Sequence, residues 1–181
     1  MLNIFFALDE DFARQLEKKS EEEIETVLEE LWDRESTEWD LEIDKAGIYL
    51  HNCFTGQKYD HSGGDYPFNM FIYGERPICD RETYGHLAMA GEVKDISKKL
   101  EGIDREWLKE RFLKYRPWEA GLNKGKAVFN LWGLSEKKVP GLGEEEIEKQ
   151  VDYLYHHFKN IKAFFRKASE NNKTIIFSCR P

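Results

Sequence analysis

The chain has 181 residues, 40% hydrophobic, 14% aromatic and 34% charged, with a net charge of −8 and a pI near 5.3. A domain of this size hides roughly 70% of its unfolded surface and needs no staples, while so acidic a surface argues against a phosphate-binding, nucleic-acid role without excluding a local basic patch. Three cysteines without a CxxC spacing (Cys53, Cys79, Cys179) argue against disulfides or a zinc knuckle, and with neither a signal peptide in the opening LNIFFAL nor an apolar run of about 18 residues, a soluble, cytoplasmic protein without membrane contact is expected.

Asn3–Leu8 is apolar throughout and predicts a short buried strand. Asp9 can cap a short helix carrying the apolar Phe12, Ala13 and Leu16. Ser20 and Glu23 form a capping-box pair ahead of Ile24, Val27, Leu28 and Leu31. The Glu21–Glu23 run sits where a helix dipole favours negative charge, so it reads as helix chemistry rather than as a metal site. Residues 34–40 form a polar connection. Ile43–Gly56 then predicts an amphipathic helix with Ile43, Ala46, Gly47, Leu50, Cys53 and Phe54 in one apolar sector. Gly56 suits the left-handed residue that closes a helix.

Ser62-Gly63-Gly64 reads as a turn, because no strand precedes it and no Lys-Ser/Thr follows as in a phosphate-cradling loop. Residues 67–74 suggest a short helix with Pro67 near its start. Residues 75–80 read as irregular and Tyr84–Met89 as a second strand. Helices follow over Gly91–Leu100, with Val93, Ile96 and Leu100 inward, and from an Asp104 cap through Phe112. Residues 116–143 form a long irregular connection with one strand-like run, Ala127–Trp132. Ile147, Val151, Leu154, Phe158, Ile161, Phe165 and Ala168 alternate spacings of four and three, which predicts a long helix over Glu144–Glu170. Thr174–Cys179 predicts a buried closing strand, with the N-terminal strand as a candidate partner. The expected fold class is α+β: one compact domain over residues 1–181, with amphipathic helices on a small sheet that includes both terminal strands.

The segment order resembles the YfbM-like family, bacterial domains of unknown function. The matching pieces are Asp44-Lys45-Ala46 with Leu50-His51 and Thr55-Gly56, then Tyr84-Gly85, Glu92-Val93, Asp104 with Leu108 and Phe112, and Val151-Asp152-Tyr153-Leu154. Together they span nearly the whole chain. Where members place a tryptophan, two residues after the Lys, this sequence has Gly47. The resemblance implies one compact α+β domain and no known activity.

Asp44, His51 and Thr55 line up within roughly 40° on the flank of the Ile43 helix. Either His51 and Thr55 bond to backbone carbonyls, or the row faces a cleft. His156 and His157 diverge by about 100° on a helix and cannot readily chelate together. Asp152, four residues before His156, lacks a third ligand in sequence, so no metal is expected. Cys53 and His51 point about 160° apart and form no dyad. Nucleophile elbow, Walker A, GxGxxG and HExxH are all absent, and no cofactor is implied.

Two functions stay open. One is an interaction module without catalysis, of the immunity type, that engages a basic protein. The other is a small-ligand binder or hydrolase-type enzyme with a site at Asp44, Lys45, His51 and Thr55, with Tyr84 nearby. The expected state is a monomer or weak homodimer.

Overall fold

The computed structural model describes residues 2–43, 46–56, 64–72, 76–80, 84–117, 122–123, 126–127 and 143–180. Five strands form one antiparallel sheet: β1 (Leu2–Leu8), β2 (Asp40–Glu42), β3 (Pro77–Asp80), β4 (Tyr84–Ala88) and β7 (Thr174–Arg180), in the order β2-β1-β7-β4-β3. A two-residue pair, β5 (Leu122–Asn123) and β6 (Lys126–Ala127), stands apart. The chain ends lie side by side at the centre, with Leu2 opposite Arg180 and Leu8 opposite Thr174. β1 is apolar apart from the buried Asn3 because both faces of the sheet are covered.

The helices divide between those faces. Helices α1 (Glu10–Leu16) and α2 (Glu21–Asp33) set Ala13, Leu16, Ile24, Leu28 and Leu31 against Phe6, Leu87 and Ile176. On the other face lie α3 (Ala46–Thr55), α4 (Ala90–Glu101), α5 (Arg105–Tyr115) and α6 (Glu144–Glu170). Their Leu50, Phe54, Val93, Ile96, Phe112, Phe158 and Phe165 pack on Phe5, Ile175 and Phe177. The result is three layers, two helices, a sheet and four helices, around two apolar slabs.

Local chemistry sets the boundaries. The Ser20 hydroxyl accepts the Glu23 N–H (3.3 Å), and the Glu23 carboxylate accepts the Ser20 N–H (2.9 Å), closing the predicted capping box. Asp104 accepts the Trp107 N–H at 2.8 Å and starts α5. Gly56 closes α3 at φ +73°, where an added Cβ would also lie 2.7 Å from the Tyr115 ring. Gly85 lets α2 approach the sheet, since a Cβ there would meet Leu28 Cδ1 at 2.7 Å.

Several expectations are corrected. The end of the polar connection is strand β2, recruited by pairing with β1. Residues 75–80 include the edge strand β3, whose register shifts between Pro77 and Cys79. Among the described residues of 67–74, Phe68–Met70 is helical, as one 3₁₀ turn. Helix α3 begins at Ala46, because the Ile43 N–H is taken by the Asn3 carbonyl at 2.9 Å as an extension of the sheet. Phe12 is 41% exposed, turned away from the core that Ala13 and Leu16 enter. Most of the 116–143 connection lies outside the described residues, as does the strand-like run beyond Ala127.

Candidate functional site

Of the five residues nominated from sequence, Asp44 and Lys45 lie outside the described residues. The other three share the inner side of the four-helix layer. His51 is fully buried. The Thr55 hydroxyl donates to the His51 carbonyl at 2.8 Å, the familiar bond of a helical threonine to the preceding turn. It is thus satisfied within its own helix rather than by a neighbouring element. Tyr84 is half-buried on β4, in one cross-strand row with Cys179 and Asn3. Gly47 rests on Asn3, so a Cβ there would sit 3.3 Å from Asn3 Cγ and 3.2 Å from Ile43 Cδ1. Burial, then the charges of Asp80 and Cys179, push the Tyr84 hydroxyl up to about 12.

The next row of this face holds His86, opposite Phe177 and 1% exposed. Its Nε2 lies 2.9 Å from the Met70 carbonyl, which fixes the proton on that nitrogen. Burial lowers its pKa to about 4, and neighbouring His51 and Arg76 push the same way. His86 is therefore neutral at pH 7 and sealed from solvent. The period-2 alternation of β4 places it on one face with Tyr84 and Ala88, a signal present in the sequence itself. Cys53 is buried, and burial drives its thiol far above the ordinary range, so it is no thiolate nucleophile. Asp152 is bound by Arg105 (Nε to Oδ1, 2.8 Å) rather than by His156. Among the described residues no group of three His, Cys, Asp or Glu side chains could hold a metal.

The opposite, two-helix layer differs in charge. Residues 9–33 contain eleven acidic and three basic side chains, a net of −8, equal to that of the whole chain. Everything outside this segment is therefore neutral in sum. Four of the acids are matched: Glu10 by Arg14, Asp9 by Lys173, Glu23 by Lys19 and Asp33 by Arg180. Asp11, Glu17, Glu22, Glu29 and Glu30 are exposed and make no ion pair among the described residues.

Helix chemistry accounts for Glu10 and Asp11 in the first turn of α1 and for Glu21, Glu22 and Glu23 in that of α2. Glu29, Glu30 and Asp33 lie in its last turns, where the dipole favours cations and no basic residue is present. Glu21–Glu25, Glu25–Glu29 and Glu29–Asp33 are like-charge pairs four apart, each costing a few tenths of a kcal/mol. Glu29, Glu30 and Asp33 thus stand against local preference. A groove of about 430 Å³ of mixed charge leads from this face to the sheet edge, where Glu17, Glu21 and Asp80 share the lining with Lys19 and Arg76 around Ile24, Pro77 and Ile78. The β3 edge is blunted: Pro77 has no N–H, and the Asp80 N–H is taken by Glu21 at 2.9 Å. This edge is poorly suited to adding a strand from another chain.

No described helix is long and apolar enough to cross a membrane. No curated protein matches the sequence. Among solved structures, the chain is similar to YfbM from Escherichia coli, itself of unknown function, with a TM-score of 0.68 at 18% identity. The match covers 98% of this chain and 99% of that one, and at such identity it speaks for the fold. The model of the domain of unknown function DUF1877 matches residues 1–178. The chain therefore belongs to the DUF1877 family, whose fold it shares with YfbM.

Proposed function

We propose that this protein is an interaction module without catalysis, whose α1–α2 layer engages a basic protein. The observation that carries this is the confinement of the whole net charge to residues 9–33, with Glu29, Glu30 and Asp33 placed where helix energetics disfavour them. A residue pattern that works against its own helix is expected where a partner repays the cost. Exposed Phe12 supplies an apolar contact within the acidic field. The field itself speeds the approach of an oppositely charged partner and falls off with salt.

The alternative, a ligand site along Asp44, Lys45, His51 and Thr55 with Tyr84, has weaker support. His51 is buried and the Thr55 hydroxyl is used inside its own helix. The test is affinity retention from the source cells by the immobilised full chain. A single protein of pI above about 9 is expected to be retained at low salt and released as ionic strength rises. Retention of no protein at low salt, or of a partner indifferent to salt, would remove the basis for this function.

A further inference from the structure

A second surface lies on the other side of the sheet, in the four-helix layer, and owes nothing to the acidic face. The 3₁₀ turn, the end of α4 and the start of α5 border an open pocket of about 410 Å³, within the usual size range of small-molecule sites. Its apolar wall is Phe68, Ile103 and Trp107, and its polar rim is Asp95, Lys98 and Lys99. Phe68 and Ile103 are 8% and 6% exposed, so the wall is a firm part of the core rather than a loose flap. Trp107 is stacked on Phe54 at 5.3 Å, and the Arg111 guanidinium lies 5.1 Å from its ring centre, which locks the indole in place. The indole N–H has no hydrogen-bond partner among the described residues, leaving a donor for a ligand.

The rim charge is selective. The Asp95 carboxylate is already engaged by the Tyr66 hydroxyl at 2.5 Å. Lys98 and Lys99 are exposed and make no ion pair among the described residues, although the chain as a whole is acidic. The dipole of α4 accounts for cations at this end, but not for an apolar wall beneath two free ammonium groups.

We infer that this pocket binds a small planar organic anion, an aromatic carboxylate, with its ring against Phe68 and Ile103 and its charge between Lys98 and Lys99. The indole N–H of Trp107 adds a neutral donor at the ring edge. Nothing in the proposal requires a chemical step.

The test uses the full chain and 2-naphthoate as probe, followed by two-dimensional ¹H–¹⁵N NMR. The neutral 2-naphthalenemethanol and inorganic phosphate separate the apolar from the charged contribution. The Trp107 indole signal is assigned with Trp107→Phe. Saturable shifts are expected at that signal and at the amides of Phe68, Lys98, Lys99 and Ile103. Binding of either comparison probe is expected to be weaker, and Lys98→Gln/Lys99→Gln is expected to lower naphthoate affinity about three- to tenfold. Both lysines are exposed, so the double variant keeps the wild-type spectrum elsewhere. Absence of saturation below about 10 mM, shifts centred on other elements, or equal affinity for the neutral probe, for phosphate or in the double variant would overturn the assignment.

Discussion

His86 is kept neutral inside the molecule, and that has a cost at low pH. Its folded-state pKa, about 4, lies below the ordinary 6.5 of an unfolded histidine. Between those values the unfolded chain binds the proton and the folded one does not. Stability is therefore full above pH 6.5 and falls as pH drops toward 4. From pH 7.5 to pH 5 the loss from this group is about 2 kcal/mol. Urea unfolding at the two pH values checks it, with His86→Asn expected to flatten the difference. An unchanged pH dependence in the variant would show that the proton goes elsewhere. At this scale the sequence was a partial guide. The helix phase set His51 on the flank, off the apolar sector, yet it is fully buried; a single-residue polar group inside an apolar face leaves no periodic trace. His86 and Asn3 are visible only once strand neighbours are known.

The elements were the most legible part, because each rests on a repeating pattern or a cap. Helix α6 follows its 3–4 spacing from Glu144 to Glu170, and Ser20, Asp104 and Gly56 end their helices as their chemistry implies. Ser20→Ala removes the hydroxyl that accepts the Glu23 N–H, while the backbone N–H of residue 20 can still donate to the Glu23 carboxylate, and it is expected to cost about 1 kcal/mol by urea unfolding. Phe165→Ala, which opens a cavity among Phe5, Phe71 and Phe164, is expected to cost about 3–5 kcal/mol. What escaped the sequence were β2 and β3, three and four residues long. Short strands at sheet edges are fixed by their neighbours, not by their own propensity. Phe12 escaped for a related reason: a seven-residue helix has too few turns to declare which side faces inward.

For the molecule as a whole, the sheet separates two surfaces of different character. The two-helix side carries the entire net charge, and the four-helix side holds the aromatic pocket at Trp107. The total charge was readable from composition, but its confinement to one layer required knowing that α1 and α2 pack on the same side of the sheet. The acids at the end of α2 conflict with helix stability, so binding and stability should move in opposite directions there. Replacing Glu30 by Lys relieves the end of α2 and is expected to raise the thermal midpoint by about 1–2 °C.

The most direct measurement compares wild-type protein with Glu22→Gln/Glu29→Gln/Glu30→Gln for retention of the basic partner at low salt, alongside thermal midpoints. The control is Glu106→Gln/Glu110→Gln, two exposed carboxylates of α5 in the opposite layer. The expected result is loss of the partner from the α2 variant at an unchanged or higher midpoint, with retention by the control. Full retention by the α2 variant, or equal loss from both, would contradict the assignment of the α1–α2 layer as the interaction face.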